Sequence, residues 1–287
     1  MITHQEEADV LARAYVPEHI VSLMSLISKG EPFLIEDCLG FFKDDWLILV
    51  GYPLEGLFSQ PRCERILRRA VETYRPGVLW FIGPEAPPSF EGSCGERETD
   101  QYYTLHVGQM RVRPALQRAV EKAAETLTVE REGGFGREHN VLIGELLERA
   151  DMPERVRELY HAMPGYVSRS PSARVLNARD RAGRLCAFTI VELGAKRFSA
   201  YILGSHSKRH YAPHASDLLF SEMIRLTQEQ GKGIMNLGLG VNEGIRRFKQ
   251  KWSGQPSLRY EFRERRYRAA RGVSLIDALM GRVTKRI

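Results

Sequence analysis

The stretch ARVLNARDRAGRLCAFTIVELGAKRFSAYILGS, residues 173–205, holds three apolar runs separated at Arg181-Ala182-Gly183 and Gly194-Ala195. Runs rich in β-branched and aromatic residues, bounded by short glycine-containing turns, read as strands joined by hairpins. Strands are therefore expected over Ala173–Asp180, Arg184–Leu193 and Lys196–Ser205, as an antiparallel meander. A helix follows, with Ser216 expected as its cap, Leu218, Leu219, Met223 and Leu226 on one face, and Gly231 at its end. Ile234–Gly240 then reads as a strand, Glu243–Trp252 as a basic helix and Leu258–Arg263 as a last strand. Strands and helices alternating in this way make the chain α/β.

Working back toward the N-terminus, the same units recur. Pro17–Ser28 is expected as a helix, Phe33–Glu36 and Asp45–Tyr52 as strands, Pro61–Tyr74 as an amphipathic helix, and Val78–Ile82 as a buried strand. The Gly-, Pro- and Ser-rich segment 83–100 reads as a long loop, Gln101–Val107 as a strand and Pro114–Glu130 as a helix. ILRRAVETYRPGVLWFIG in the first half and LFSEMIRLTQEQGKGIMNLG in the second share one pattern, a helix followed by an apolar strand that ends in glycine. This faint repeat suggests duplication of one α/β unit. The expected division is residues 1–135 and 169–287 as two domains, with 136–168 as a helical linker between them.

Composition is compatible with this and excludes other classes. The chain has 287 residues, 43% hydrophobic and 27% charged, which is enough for a sizeable core and far from collagen-like or disordered usage. No apolar run approaches the roughly 18 residues that a membrane span requires. Glu6, Glu7 and Asp9 stand where a secretory signal would be basic, so the chain is expected to be cytoplasmic. Cys38, Cys63, Cys94 and Cys186 are widely spread, without the spacing of a zinc site or a disulfide scaffold. The net charge of +6 suits an anionic partner without demanding one.

The second half resembles the GNAT acyltransferases, and most of all the Fem-type branch, which joins two such domains in one chain. The residues that carry the resemblance are Ser205-His206-Ser207-Lys208-Arg209-His210-Tyr211, the helix from Ser216, Ile234-Met235-Asn236-Leu237-Gly238, and Gly244-Ile245-Arg246-Arg247-Phe248-Lys249-Gln250-Lys251-Trp252-Ser253-Gly254. It implies two tandem GNAT-like domains, each a mixed, mostly antiparallel sheet flanked by helices. It also implies transfer of an acyl group to the amine of a small molecule or peptide. The family's coenzyme A signature, [QR]-x-x-G-x-[GA], is absent; Lys208-Arg209-His210-Tyr211-Ala212-Pro213 occupies its place. Fem-type members take aminoacyl groups from charged tRNA, so aminoacyl-tRNA stands as an alternative donor beside acyl-CoA (acetyl-CoA), which is the donor expected.

Acyl transfer to an amine needs a group to accept the proton and a group to stabilise the oxyanion. Glu192, at the end of the middle meander strand, is the candidate base, and a solvated turn residue is its plainer reading. Lys249 matches the lysine of the Fem-type F-K motif, for which the resemblance implies donor binding or stabilisation of the intermediate; a surface lysine is the alternative. The helix start at Ser216, with Lys208 and Arg209 just before it, suits a phosphate. Ser205, His206, His210, Tyr211, Asn242 and Arg246 complete the expected donor-binding set. Phe248 and Trp252, four apart, are expected to pack their helix onto the sheet.

Three rival signals lie in the same half. Gly238, Gly240 and Gly244 follow a strand and open a helix, as in a dinucleotide loop, but the parallel strands that an NADP-dependent oxidoreductase would need do not follow. His206, His210 and His214 have helical spacing for a metal, which Pro213 opposes. The tail offers arginines 263, 265, 266, 268 and 271, then a capping box at Ser274 and Asp277 with an apolar face from Leu275 to Val283. A catalytically inert GNAT-like module that binds nucleotide or RNA is the alternative of a different class.

Overall fold

The computed structural model describes residues 2–92, 95–132, 134–149 and 154–267. The helix expected after Ser274, with Arg268, Arg271 and Cys94, lies outside them. The described chain contains α1 (His4–Arg13), α2 (Val21–Ser28), β1 (Glu31–Ile35), β2 (Cys38–Lys43), β3 (Trp46–Val50), α3 (Gln60–Tyr74), β4 (Val78–Gly83), β5 (Arg97–His106), α4 (Pro114–Ala124), β6 (Leu127–Glu130), α5 (Arg137–Arg149) and α6 (Glu154–Val167). It continues with β7 (Ala173–Asp180), β8 (Leu185–Glu192), β9 (Phe198–His206), α7 (Ala215–Glu229), β10 (Ile234–Leu239), α8 (Glu243–Lys251) and β11 (Gln255–Arg266).

Packing divides the chain into two units. Among the described residues, the first holds those within 2–102, 239–241 and 256–267, the second those within 103–238 and 242–255. This differs from the division drawn on the sequence, because residues 103–135 pack with the second unit and the strand after α8 with the first.

In the first unit the strand order is β1-β2-β3-β4-β11-β5. β1, β2 and β3 form an antiparallel meander, β4 runs parallel to β3, and β11 runs antiparallel to β4. Every residue of β3 and β4 is buried, as expected for strands covered on both faces. α3 covers one face with Cys63, Ile66, Leu67 and Ala70, its arginines pointing outward. The other face packs Trp46, Trp80, Tyr52, Tyr102 and Phe262.

In the second unit the order is β5-β10-β9-β8-β7-β6. β7, β8 and β9 form the expected antiparallel meander, and β10 runs parallel to β9. α7 lays Leu218, Leu219, Phe220 and Met223 on Leu176, Ala187, Val191, Met235 and Leu237. Both units therefore realise one plan: a three-strand meander, a helix, then a strand parallel to the third. The repeat read from the sequence is real, and each sheet is mixed and mostly antiparallel with helices on its faces.

Several boundaries need correcting. Residues 127–130, expected as the end of a helix, form strand β6 paired with β7, because Leu127 gains a buried position on the sheet edge. Pro17–His19 is a short 3-10 turn, and the α-helix begins at Val21. Helix α1 was not expected; it buries only Val10 and is held at its start by a capping box between Thr3 and Glu6. Ser216 is not the cap of α7. That position belongs to His214, in the left-handed region at φ 60°, with no side-chain hydrogen bond to the helix amides.

Candidate active site

The parallel pair β9–β10 is where the second unit departs from the first. In the first unit β3 and β4 stay paired through five positions, from Trp46↔Val78 to Val50↔Ile82. In the second, β9 and β10 pair at Phe198↔Ile234, Ser199↔Met235 and Ala200↔Asn236, and then stop. The cause lies on the opposite edge of β9. Val191 of β8 pairs with Tyr201 and Ile190 with Leu203, which leaves Ile202 as an extra, bulged residue. A bulge bends its strand and increases its twist, so β9 leaves β10 one residue after their last pair and a gap opens between two parallel strands.

Lys249 of α8 serves this gap. It is only 3% exposed, and its Nζ lies 5.6 Å from the centre of the Tyr103 ring, within cation–π range. A Cβ built on Gly238, just past the last β9–β10 pair, would stand 3.8 Å from that Nζ and 3.9 Å from the Tyr201 carbonyl. Gly238 has φ 74°, and its amide donates to Asn236 Oδ1 at 2.8 Å, so the strand turns sharply at the lysine. On the neighbouring strand, burial pushes the Tyr201 phenol up to about 12. The lysine is thus buried beside an aromatic face, and not the surface lysine of the plainer reading.

The remaining residues of the motif hold α8 in place. Asn242 caps it, accepting from the Ile245 amide at 2.9 Å, and the half-buried Arg246 follows in its first turn. Phe248 packs edge-on against Phe220 at 5.3 Å and Trp252 lies over the same ring at 5.0 Å, so both fix α8 to α7, in the core cluster that also holds Met235 and Leu237 of the sheet. A side chain at Gly254 would come within 2.8 Å of the Lys249 carbonyl oxygen and 2.7 Å of Leu237.

Asp217, which the sequence reading passed over, ties the helices together. It is 5% exposed and accepts from Trp252 Nε1 at 3.1 Å, from Lys251, and from His214 Nδ1 at 3.0 Å. Burial alone would raise its carboxyl, but the bonds from Lys251 and His214 prevail and the net direction is down. An acid in a helix's first turn is the signal that could have revealed it.

The loop from β9 to α7 stands at the end of the diverging strand. Ser205 is buried and donates to the Leu142 carbonyl at 3.0 Å, so it anchors the loop and is not presented to a ligand. Ser207 is buried, donates its amide to Cys186 O at 2.7 Å and accepts from the His210 amide at 2.9 Å. Lys208, Arg209 and Tyr211 are exposed, with His206, His210 and Ser216 half-buried beside them. Among the described residues no group of three His, Cys, Asp or Glu side chains could hold a metal, and no helix is long and apolar enough to cross a membrane.

Glu192 lies at the closed end of the gap, since Ala200, in the last β9–β10 pair, also pairs with Glu192. It is 0% exposed and therefore not a solvated turn residue. Oε1 accepts from the Gly194 amide at 2.7 Å, while Oε2 accepts from Tyr166 and, at 3.2 Å, from Ser170. Burial and the adjoining carboxylate hold the Tyr166 phenol well above its usual range. Nearby, burial lowers Lys232 against the pull of Glu192, and its ammonium donates to the Leu193, Ala195 and Phe198 carbonyls. The level of β8 opposite His206 is Ala187, five residues from Glu192, or about 17 Å along a strand. Glu192 and the basic loop therefore occupy opposite ends of the gap.

No family model and no curated protein matches the chain. Solved structures do. L-PGS from Bacillus licheniformis is 15% identical with a TM-score of 0.59, covering 98% of this chain and 96% of that one. FemX is 10% identical with a TM-score of 0.59, over 91% and 96%. A GCN5-related N-acetyltransferase from Kribbella flavida is 15% identical with a TM-score of 0.51, over 84% and 91%. At such identities likeness speaks for fold, and here it agrees with the meander and the parallel fourth strand: the chain has the GNAT fold.

Proposed function

We propose that the chain is an acyltransferase that moves an acyl or aminoacyl group from a phosphate-containing donor to an amine, and that its active gap lies in the second unit. The observation that carries this reading is the bulge at Ile202, which parts β9 from β10 beside the buried ammonium of Lys249. The first unit has the same plan with its strands paired throughout, which supports a structural role for it in this reading.

In this reading the donor's acyl end enters between the parted strands. Its phosphate stays at Lys208, Arg209 and the first turn of α7. The amine nitrogen attacks the carbonyl carbon, a C–N bond forms, and the oxyanion develops against the Lys249 ammonium. Collapse breaks the bond to the leaving sulfur or oxygen, which takes up the proton that the amine gives up. The amine's own proton would reach Glu192 only through Tyr166 or Ser170, the hydroxyls that cover it. The Fem-type resemblance and the missing coenzyme A signature favour a charged tRNA as donor, and the GNAT fold alone would equally suit acetyl-CoA.

The test is a comparison of acetyl-CoA with a charged tRNA, by binding and by transfer to a primary amine, over a range of salt. One donor should bind and be consumed, and Lys208→Ala with Arg209→Ala should weaken that binding. Binding of RNA or nucleotide without transfer from any donor would favour the inert module.

A further inference from the structure

The loop that ends β9 does more than gather charge: it presents an aromatic ring to solvent on a fixed backbone. Ser207 is tied to β8 through Cys186 and to its own loop through the His210 amide. The Lys208 amide donates to Glu145 of α5, and the Ala215 amide to the Ala212 carbonyl at 3.3 Å. Between these ties Tyr211 is 66% exposed, the most exposed aromatic side chain among the described residues. Its ring is braced edge-on by His206, with centroids 6.2 Å apart and planes at 70°. A ring with two χ angles on a pinned loop loses little entropy when something lies on it. Lys208 and Arg209 precede it by three and two residues, both exposed.

A flat aromatic face beside exposed cations is the arrangement that binds a nucleobase by stacking while holding the attached phosphate by charge. We infer that Tyr211 is a stacking platform for the adenine of the acyl donor, with Lys208 and Arg209 on the phosphates joined to that adenosine. The inference rests on the donor-binding reading of this loop given above. Coenzyme A carries a phosphorylated adenosine and a charged tRNA ends in one, so the ligand class is a phosphorylated adenosine whichever donor is used.

The test uses the full chain with two probes, adenosine 3′,5′-bisphosphate and inorganic pyrophosphate. Tyr211 makes few contacts, so Tyr211→Ala and Tyr211→Phe should melt with the wild type. Tyr211→Ala should weaken the bisphosphate by about 5- to 100-fold, the value of one base–aromatic stack. It should leave pyrophosphate binding unchanged, and Tyr211→Phe should restore the loss. Upfield shifts of the adenine protons on binding should vanish in Tyr211→Ala. Lys208→Ala with Arg209→Ala should weaken both probes. The source is then identified by transfer assays: Tyr211→Ala raises KM for acetyl-CoA in one arm. In the other it raises KM for a charged tRNA. If Tyr211→Ala binds the bisphosphate as the wild type does while the double variant does not, the platform is refuted and the phosphate loop stands. If the wild type binds neither probe, the donor-binding reading fails and the platform with it.

Discussion

Asp217, in the first turn of α7, accepts the indole N–H of Trp252, the residue that follows α8, at 3.1 Å. The bond joins the start of one helix to the end of another, and the second helix carries Lys249. With Lys251 and His214 on the same carboxylate, the position of the buried ammonium depends on an acid that need never meet substrate.

Asp217→Ala should therefore cost stability and activity together. It leaves a buried indole N–H without its acceptor, a loss of about 1–3 kcal/mol, read by urea denaturation. Asp217→Asn should retain part of the geometry and lose less. Because the folded carboxyl titrates lower than in the unfolded chain, its contribution is present above the ordinary carboxylate range and disappears as pH falls through the folded value. A wild-type melting profile that Asp217→Asn leaves unchanged at every pH would show that the carboxylate holds nothing.

Lys249→Met keeps the length of the side chain and its contact with Tyr103 while removing the charge. Turnover should fall by about 10²–10³ with donor binding nearly unchanged, the signature of a group that acts on the developing oxyanion. Full turnover by Lys249→Met would sink the role given to it.

Glu192→Gln places an amide where both oxygens now accept hydrogen bonds, so one of Gly194, Tyr166 and Ser170 must face an N–H. A destabilisation of about 1–3 kcal/mol is expected. If Glu192 also receives the amine proton, the rate per folded molecule should drop by about 10²–10⁴ and recover as pH approaches the acceptor's own pKa. A stability loss with an unchanged rate would make it a structural carboxylate alone.

His19 bears on the first unit. It is 0% exposed, its Nε2 lies 3.0 Å from the Tyr52 carbonyl oxygen, and burial lowers its pKa from 6.5 to about 4. The unfolded chain therefore takes up the proton first. Stability is fully present above about pH 6.5 and should fall, by roughly 3 kcal/mol in all, as pH drops toward 4. Glu18, raised by burial, contributes a slope of opposite sign. The difference between wild type and His19→Gln in denaturation at stepped pH isolates the histidine, and two parallel curves from pH 7 to 4 would contradict the assignment.

Local pattern carried a large part of the architecture. The meander from Ala173, the helix that stops at Gly231, the strand at Ile234 and the α8 motif were all legible, because apolar periodicity and glycine punctuation are properties of neighbouring residues. α1 was hidden because it offers almost no apolar face. β6 was hidden because four residues after a helix carry no pattern of their own until β7 pairs with them.

For the site, the sequence by itself determined which chemical groups exist: a lysine on a basic helix, a cationic loop with one tyrosine, and a carboxylate at a strand end. Only the tertiary structure decided what each can do. Ile202 became a bulge because β8 and β9 are out of step by one residue, and register between strands is set by packing, which no local window contains. Tyr103 and Asp217, 146 and 34 residues before Lys249 and Lys251, meet those lysines through folding alone. Burial likewise belongs to the fold: Glu192 and Lys249 read alike as surface charges, and folding buries both.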